Sequence, residues 1–487
     1  KELRPREPPA SPELRPQTAR QSAKAEEEEE FQRLAPPPPS PELPPQASRQ
    51  PLEAPAPAVA KRERRGNGAK IAILARGSRG DIQPVAALAV RLKEDGYRVL
   101  MLCNDNYGDG TSQGHADFLQ SLDLEVEVFP WDNDGATGER QCFIFDKVKA
   151  FRPALLIYWW FLALEAWVIE EKLGVLAVEY NLGILTTLKE LNYVLHFMQG
   201  AQKHRLDKHV GRLTLIDVRD VDDVRTRFWK RPRPALYACS RHIVKRDDTW
   251  PDATATAGVH LTGYWLLDSR TQMRLVEAGN SFLGGAQHKQ LEAFIEGGEP
   301  PVYIGWGSTG CDMHQDDFLG LLAVRTLRLA GKRGVVLGSY SNLGPASLDG
   351  ADNSEALKAF AREKVFWAKW APHEWLFPRC CTLVIHGGCN TTAAGLRSGR
   401  PMVITPIDHD QPEWAERVER LGVGVRTEHL RSVTPSELAA KLEECESPAV
   451  AEACRSLAEK LQAEDGVGNA VDLLTAYLQT EPEKRKS

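Results

Sequence analysis

From Lys70 onward, short wholly apolar runs alternate with amphipathic stretches, and that alternation predicts an α/β chain. Ile71 to Ala75 has the composition of a strand buried on both faces, and Gly77-Ser78-Arg79-Gly80 closes it as a turn. Between Ile82 and Asp95, Val85, Leu88, Ala89 and Leu92 recur at helical spacing, with Pro84 near the start and Gly96 at the end. Tyr97 to Cys103 is then a second buried strand, completing a β-loop-α-β unit of parallel, doubly wound type.

The same alternation continues. Ala154 to Tyr158 reads as a strand, Trp160 to Leu173 as a helix and Val175 to Tyr180 as a strand, with strand and loop segments at Leu236 to Ser240 and Val259 to Leu267. After the polar, Gly-containing stretch Asp268 to Pro301, strands restart at Val302 to Trp306, Gly334 to Gly338, Val365 to Trp370, Thr382 to Ile385 and Pro401 to Thr405. A helix is expected around Asp317 to Gly331, and Thr434 to Tyr477 has helical composition. The expected organisation is a tail over 1–69, a first α/β domain over 70–267, a connection over 268–300, a second α/β domain over 301–480 and a flexible end over 481–487.

Composition sharpens the ends of that division. Residues 1–69 hold fifteen of the 32 prolines, the run Glu26 to Glu30 and almost no large apolar side chains, which predicts a disordered tail. At 487 residues and 42% apolar content, the remainder is long enough for two cores. A net charge of -6 gives no electrostatic footprint for nucleic acid. Nine cysteines, odd in number and without a CxxC pair, suggest neither a disulfide framework nor a thiolate zinc site, and point to a reducing, cytoplasmic compartment. The most apolar stretch, Ala154 to Ile169, is sixteen residues long and carries Glu165, so it reads as buried structure and not as a membrane span.

Three constellations carry candidate chemistry at strand ends, where doubly wound sheets gather their ligand loops. His386-Gly387-Gly388-Cys389-Asn390-Thr391-Thr392 follows one strand and opens a helix. Glycines allow close backbone approach, and the threonines with the helix N-terminus offer donors suited to a diphosphate, toward which His386 could also donate. Asp408-His409-Asp410-Gln411 follows another strand, and a carboxylate beside an amide suits the vicinal hydroxyls of a sugar, although Asp-Gln before a helix also reads as a cap. Gly77-Ser78-Arg79-Gly80-Asp81 places one carboxylate in the loop after the first strand, where it could take a proton from an attacking hydroxyl or simply cap the helix.

Trp370-Ala371-Pro372-His373, His386 to Thr391 and Asp410-Gln411, with twenty-four residues from His386 to Asp410, resemble the donor-binding signature of family 1 glycosyltransferases. Gly77 to Pro84, Gly263-Tyr264-Trp265, Pro301 to Ser308, Pro372 to Phe377 and Thr391 to Leu396 are similar to the sterol glucosyltransferases and the related bacterial antibiotic glycosyltransferases. The resemblance spans Lys70 to about Val425. It implies the GT-B fold, two Rossmann-like domains facing across a cleft, with the acceptor on the first and a nucleotide sugar on the second. It implies that Trp370 stacks on uracil and that the backbone beside His373 reads the edge of the base. Ser308, His386, Gly387, Gly388, Asn390, Thr391 and Thr392 would surround the diphosphate, with Asp410 and Gln411 on the sugar. Asp81 would be the general base, on an acceptor-side loop formed by Gly77, Ser78, Arg79 and Gly80.

The implied reaction is inverting transfer of a hexose, with glucose as the default, from a UDP-sugar to a sterol or other hydrophobic alcohol, with no cofactor, no metal and peripheral membrane contact. Three departures stand out: Ile385 replaces a second histidine, Cys389-Asn390 replaces Ala-Gly, and Ile407-Asp408-His409 replaces the aromatic-aromatic-Gly text before the Asp-Gln pair, which bears on sugar preference. Trp159, Trp160, Phe161, Trp167, Phe197 and Met198 are candidates for an apolar acceptor pocket, with ordinary core packing as the competing account. The alternative function is a non-catalytic GT-B protein binding nucleotide sugar or lipid as a sensor or scaffold.

Overall fold

Two parallel sheets form where the apolar runs predicted strands. The computed structural model describes residues 65–104, 114–129, 137–183, 234–246, 253–254, 257–308 and 316–484. Most of the expected tail, together with Phe197 and Met198, lies outside the described residues. The first half contains β1 (Lys70–Ala75), α1 (Arg79–Glu94), β2 (Arg98–Asn104), α2 (His115–Ser121), β3 (Glu125–Phe129), α3 (Thr137–Phe151), β4 (Leu155–Trp159), α4 (Ala163–Leu173), β5 (Leu176–Asn181), β6 (Pro234–Tyr237) and β7 (Gly258–Leu261). These strands make a seven-stranded sheet in the order β3-β2-β1-β4-β5-β6-β7, parallel throughout.

After α5 (Ser269–Glu277) and α6 (His288–Glu296) come β8 (Val302–Gly305), α7 (Asp316–Leu329), β9 (Gly334–Leu337), α8 (Ser354–Lys364), β10 (Val365–Ala368), α9 (His373–Leu376), β11 (Thr382–Ile385), α10 (Cys389–Ser398), β12 (Met402–Ile404), α11 (Gln411–Arg420) and β13 (Gly424–Arg426). Their sheet runs β10-β9-β8-β11-β12-β13, again parallel. In both sheets the order reverses beside the first strand, β1 in one and β8 in the other, and such switch points open a crevice at the carboxyl ends of the strands. This is the GT-B architecture.

Strand β3 had no counterpart in the sequence reading. Its sequence, EVEVF, alternates charged and apolar residues as an edge strand does, and Arg98 on β2 pairs with Glu125 at 3.0 Å. The connection over 268–300 is also more structured than its polar composition implied. Asp268 accepts a hydrogen bond from the Thr271 backbone N–H at 2.8 Å and caps α5, whose Leu275 and Val276 enter the first core. Leu291 of α6 enters the second.

The expected boundary of the second domain at residue 480 differs from the observed packing. After α12 (Pro435–Glu444) and α13 (Pro448–Gln462), α14 (Gly466–Lys484) returns to the first domain. Ala470, Val471, Leu474 and Tyr477 lie in the first hydrophobic core with Val85, Leu88 and Leu92 of α1, and Tyr97 Oη hydrogen-bonds Thr475 Oγ1 at 2.8 Å. Their spacing makes one apolar stripe that only a partner helix can cover. Leu474 is 1% exposed, so Leu474→Ala should cost about 2–5 kcal/mol. Chemical denaturation would show this as an earlier loss of the first domain.

Candidate active site

Loop 77–81 begins with a conformation that glycine favours. Gly77 has φ of +129°, and a Cβ there would stand 2.3 Å from Asp81 Oδ2. Asn104, at the end of β2, fixes its peptide: Oδ1 accepts from Gly77 N–H at 2.8 Å, and Nδ2 donates to the Gly77 carbonyl at 3.2 Å. The loop leads directly into α1, which starts at Arg79, three residues earlier than its spacing suggested. Asp81 is thus the third helical residue, and its Oδ2 accepts from Ser78 N–H at 2.7 Å and Ser78 Oγ–H at 3.0 Å. The capping role weighed from sequence is real, yet it uses one carboxylate oxygen only. Among the described residues Oδ1 makes no hydrogen bond.

Burial pushes the Asp81 carboxyl up to about 6, with nearby Asp410 acting in the same direction and the Ser78 hydrogen bonds opposing it. A carboxylate tuned this way is a stronger base at neutral pH than a solvated one. If proton abstraction by Asp81 limits turnover, kcat/KM should fall as pH drops through about 6, a limb that rate measurements from pH 5 to 8 will reveal.

The loop is held against the second domain. Arg79 donates its backbone N–H to Tyr340 Oη at 3.1 Å and its guanidinium to the Ala371 carbonyl at 3.1 Å. That guanidinium lies 5.3 Å from the Trp370 ring centre and 4.9 Å from that of Phe282. Burial brings Arg79 down to about 10, so it remains charged at neutral pH. Phe282 lies nearly parallel to Trp370 with ring centres 6.4 Å apart, and Tyr340 meets Trp370 edge-on at 5.1 Å. The His373 ring stacks on Phe377 at 4.5 Å, with Nε2 3.3 Å from Tyr303 Oη. Burial, with the charge of Arg79 adding to it, holds His373 well below its ordinary pKa.

On the second domain, β11 ends at Ile385 and α10 begins at Cys389. Gly388 is the N-cap and has no side chain to occupy the first-turn amides. His386 is 6% exposed and lies between two glycines: a Cβ on Gly307 would stand 2.6 Å from its Cε1, and one on Gly388 2.4 Å from its Nε2. Burial lowers His386 to about 4, so the ring is neutral at pH 7, and Nδ1 has no hydrogen-bond partner among the described residues. The buried Thr392 Oγ1 is likewise unpartnered. A helix N-terminus with no capping side chain, flanked by the His386 ring and Thr392, fits an anionic ligand such as a diphosphate. Thr391 and Ser308 are partly buried at the same strand ends.

Gly387 has φ of +91°, and a Cβ there would meet Ile404 Cγ2 at 2.9 Å. Asp410 precedes α11 but does not cap it with its side chain. Its Oδ2 accepts from Trp414 Nε1–H at 3.1 Å and faces Gly183 of the first domain. Gln411 Oε1 accepts from the Ile407 and Asp408 backbone N–H groups at 2.8 and 3.1 Å, which fixes the loop before α11. Asp408 is exposed and receives its own neighbour, His409 N–H, at 2.8 Å.

Asn104, Phe282, Tyr340, Gly183 and Trp414 were not found by sequence reasoning. Asn104 and Gly183 sit at or just after strand ends, the one signal that could have marked them. Among the candidate pocket aromatics, Phe161 is 41% exposed and packs edge-on with Trp159 at 4.5 Å. Among the described residues no helix is long and apolar enough to cross a membrane.

Residues 350–474 match the family described as erythromycin biosynthesis protein CIII-like, C-terminal domain. The chain is 27% identical to O-mycaminosyltylonolide 6-deoxyallosyltransferase of Streptomyces fradiae, over 84% of this chain and 98% of that protein. It is 27% identical to a sterol 3-beta-glucosyltransferase of Arabidopsis thaliana, over 85% of this chain and 68% of that protein. The glycotransferase of kitacinnamycin has the same fold, with a TM-score of 0.60 at 20% identity, covering 84% of this chain and 99% of that one. The chain has the GT-B fold and is similar in sequence to glycosyltransferases, among them a sterol 3-beta-glucosyltransferase and a 6-deoxyallosyltransferase.

Proposed function

We propose that this glycosyltransferase homologue transfers a hexose, with glucose as the default, from a UDP-sugar to the hydroxyl of a sterol or similar hydrophobic alcohol, with inversion. The observation that carries this reading is the position of Asp81: its Oδ1, unbonded among the described residues, belongs to a loop bonded directly to the residues that flank the expected donor site. Trp370 serves as the base platform, its plane fixed by Arg79, Phe282 and Tyr340. His386, Thr392 and the first-turn amides of α10 hold the diphosphate, and Asp410 takes sugar hydroxyls.

In the reaction, the acceptor oxygen bonds to the anomeric carbon as the bond from that carbon to the β-phosphate oxygen breaks. Asp81 takes the acceptor proton, and the electron pair leaves with UDP. The sterol preference rests on the Arabidopsis relative, and the Streptomyces relative supports a bulky apolar acceptor more generally. Sterol binding brings the protein to membrane surfaces from the aqueous side.

UDP release from UDP-glucose by the full chain, with and without a sterol and with a macrolide panel, tests this reading. Acceptor-dependent release supports it. UDP-glucose binding with no release for any acceptor favours the sensor or scaffold alternative.

A further inference from the structure

Pro84 lies inside α1, and its ring nitrogen carries no N–H. The carbonyl four residues earlier, that of Gly80, therefore lacks the hydrogen bond that continues the helix past Asp81. A partly buried carbonyl left in that state is costly unless another donor reaches it. The donor comes from across the cleft: Asn390 Nδ2–H, on the first turn of α10, bonds the Gly80 carbonyl. Gly80 is joined by a peptide bond to Asp81. Asn390 is also one of the two positions where this chain departs from the Ala-Gly text it otherwise resembles, so the contact belongs to this chain's own sequence.

We propose that Asn390 is the positioning residue for Asp81, replacing across the domain cleft the hydrogen bond that Pro84 denies to Gly80. The inference rests on the glycosyltransferase reading above and changes the role expected of Asn390, whose amide serves the base-bearing loop in place of the diphosphate. It also gives a physical link between the two half-sites. The helix whose N-terminus faces the donor grips the peptide that carries the base, so the carboxylate is placed only when the domains are closed.

The groups facing Asp81 are Asp410 and His409 from the loop before α11, Tyr180 from β5 and Cys389 from α10, with Ser78 on its own loop. None of these is changed by replacing Asn390. Release of the loop in Asn390→Ala should let water reach Asp81, lower its pKa and misplace its Oδ1. We expect kcat to fall roughly tenfold, the worth of one well-placed hydrogen bond, with the KM for UDP-glucose within about twofold of wild type. The acid limb of the rate should move to lower pH.

Asn390→Asp, nearly identical in shape, keeps the test open if the alanine variant does not fold. It sets an acceptor against the Gly80 carbonyl and adds a negative charge near Asp81, so kcat should fall while the acid limb moves to higher pH. A raised KM with unchanged kcat and an unmoved limb would make Asn390 an ordinary donor ligand and overturn the proposal. Should no acceptor turn over at all, melting temperatures give a separate readout. The stabilisation that Asp81→Asn produces at pH 7.5 should shrink in the Asn390→Ala background, and an undiminished effect would also overturn it.

Discussion

Asp81→Asn is expected to lower transfer by about 100- to 10,000-fold while making the protein more stable at pH 7.5. The loss follows from removing the base: an amide cannot take the acceptor proton, and general-base catalysis is commonly worth that factor. The gain follows from burial. Asp81 is raised to about 6 in the folded chain, well above a solvated carboxyl, so the folded state binds the extra proton more readily. Its contribution to stability is therefore fully present below about pH 4 and is lost as pH rises through about 6. Above that, the ionised carboxylate opposes folding. Asparagine has no such charge and can still accept from the Ser78 N–H. The melting temperature of the variant should exceed that of wild type at pH 7.5, with the advantage disappearing toward pH 4. An active variant would remove Asp81 from the chemistry, and a variant less stable at every pH would make it a helix cap alone.

Gly388→Ala is expected to weaken donor binding without unfolding the chain. Gly388 has an ordinary φ of −60°, so alanine meets no backbone strain. The conflict is with one side chain, since the new methyl would lie 2.4 Å from His386 Nε2, and Gly307 closes the other side of the ring. His386 must leave the position in which its Nε2 lies against the N-cap of the helix. Overpacking of this kind costs about 1–3 kcal/mol of stability, which need not prevent folding. Loss of one preorganised donor to a charged oxygen is worth about 2.7–4 kcal/mol in other enzymes. Calorimetric titration with UDP should show affinity weakened at least roughly tenfold. Unchanged affinity would take His386 out of the donor site.

The sequence made the central strands of both sheets legible because parallel strands buried on two faces are continuous apolar runs such as IAILA, while the short edge strand β13 was not read. It concealed β3, whose alternating EVEVF lies at a sheet edge, and it concealed the destination of α14. An amphipathic helix declares which of its faces is apolar, not which domain will cover it. The same limit applied to the site. His386, Thr392 and Asp410 could be singled out because each follows a strand, and the structure surrounds them with a helix N-terminus and the first domain's Gly183.

The role of Asn390 was not legible, since its partner lies 310 residues away and is a backbone carbonyl that only the position of Pro84 exposes. Gln411 shows the reverse case. Its amide was assigned to the sugar, yet its oxygen braces the loop that carries Asp410, a use that spacing alone does not reveal.

The anomeric configuration of the product reports on Asp81 as the base, because a single displacement by the acceptor oxygen, with one base taking its proton, leaves a fixed stereochemical record. Full-length protein would be incubated with UDP-glucose, whose glucose is α-linked, and a sterol, and the purified product examined by proton NMR. The β-glycoside is expected from the wild-type protein and not from Asp81→Asn. An α-glycoside, or free glucose formed at the same rate without any acceptor, would contradict that expectation.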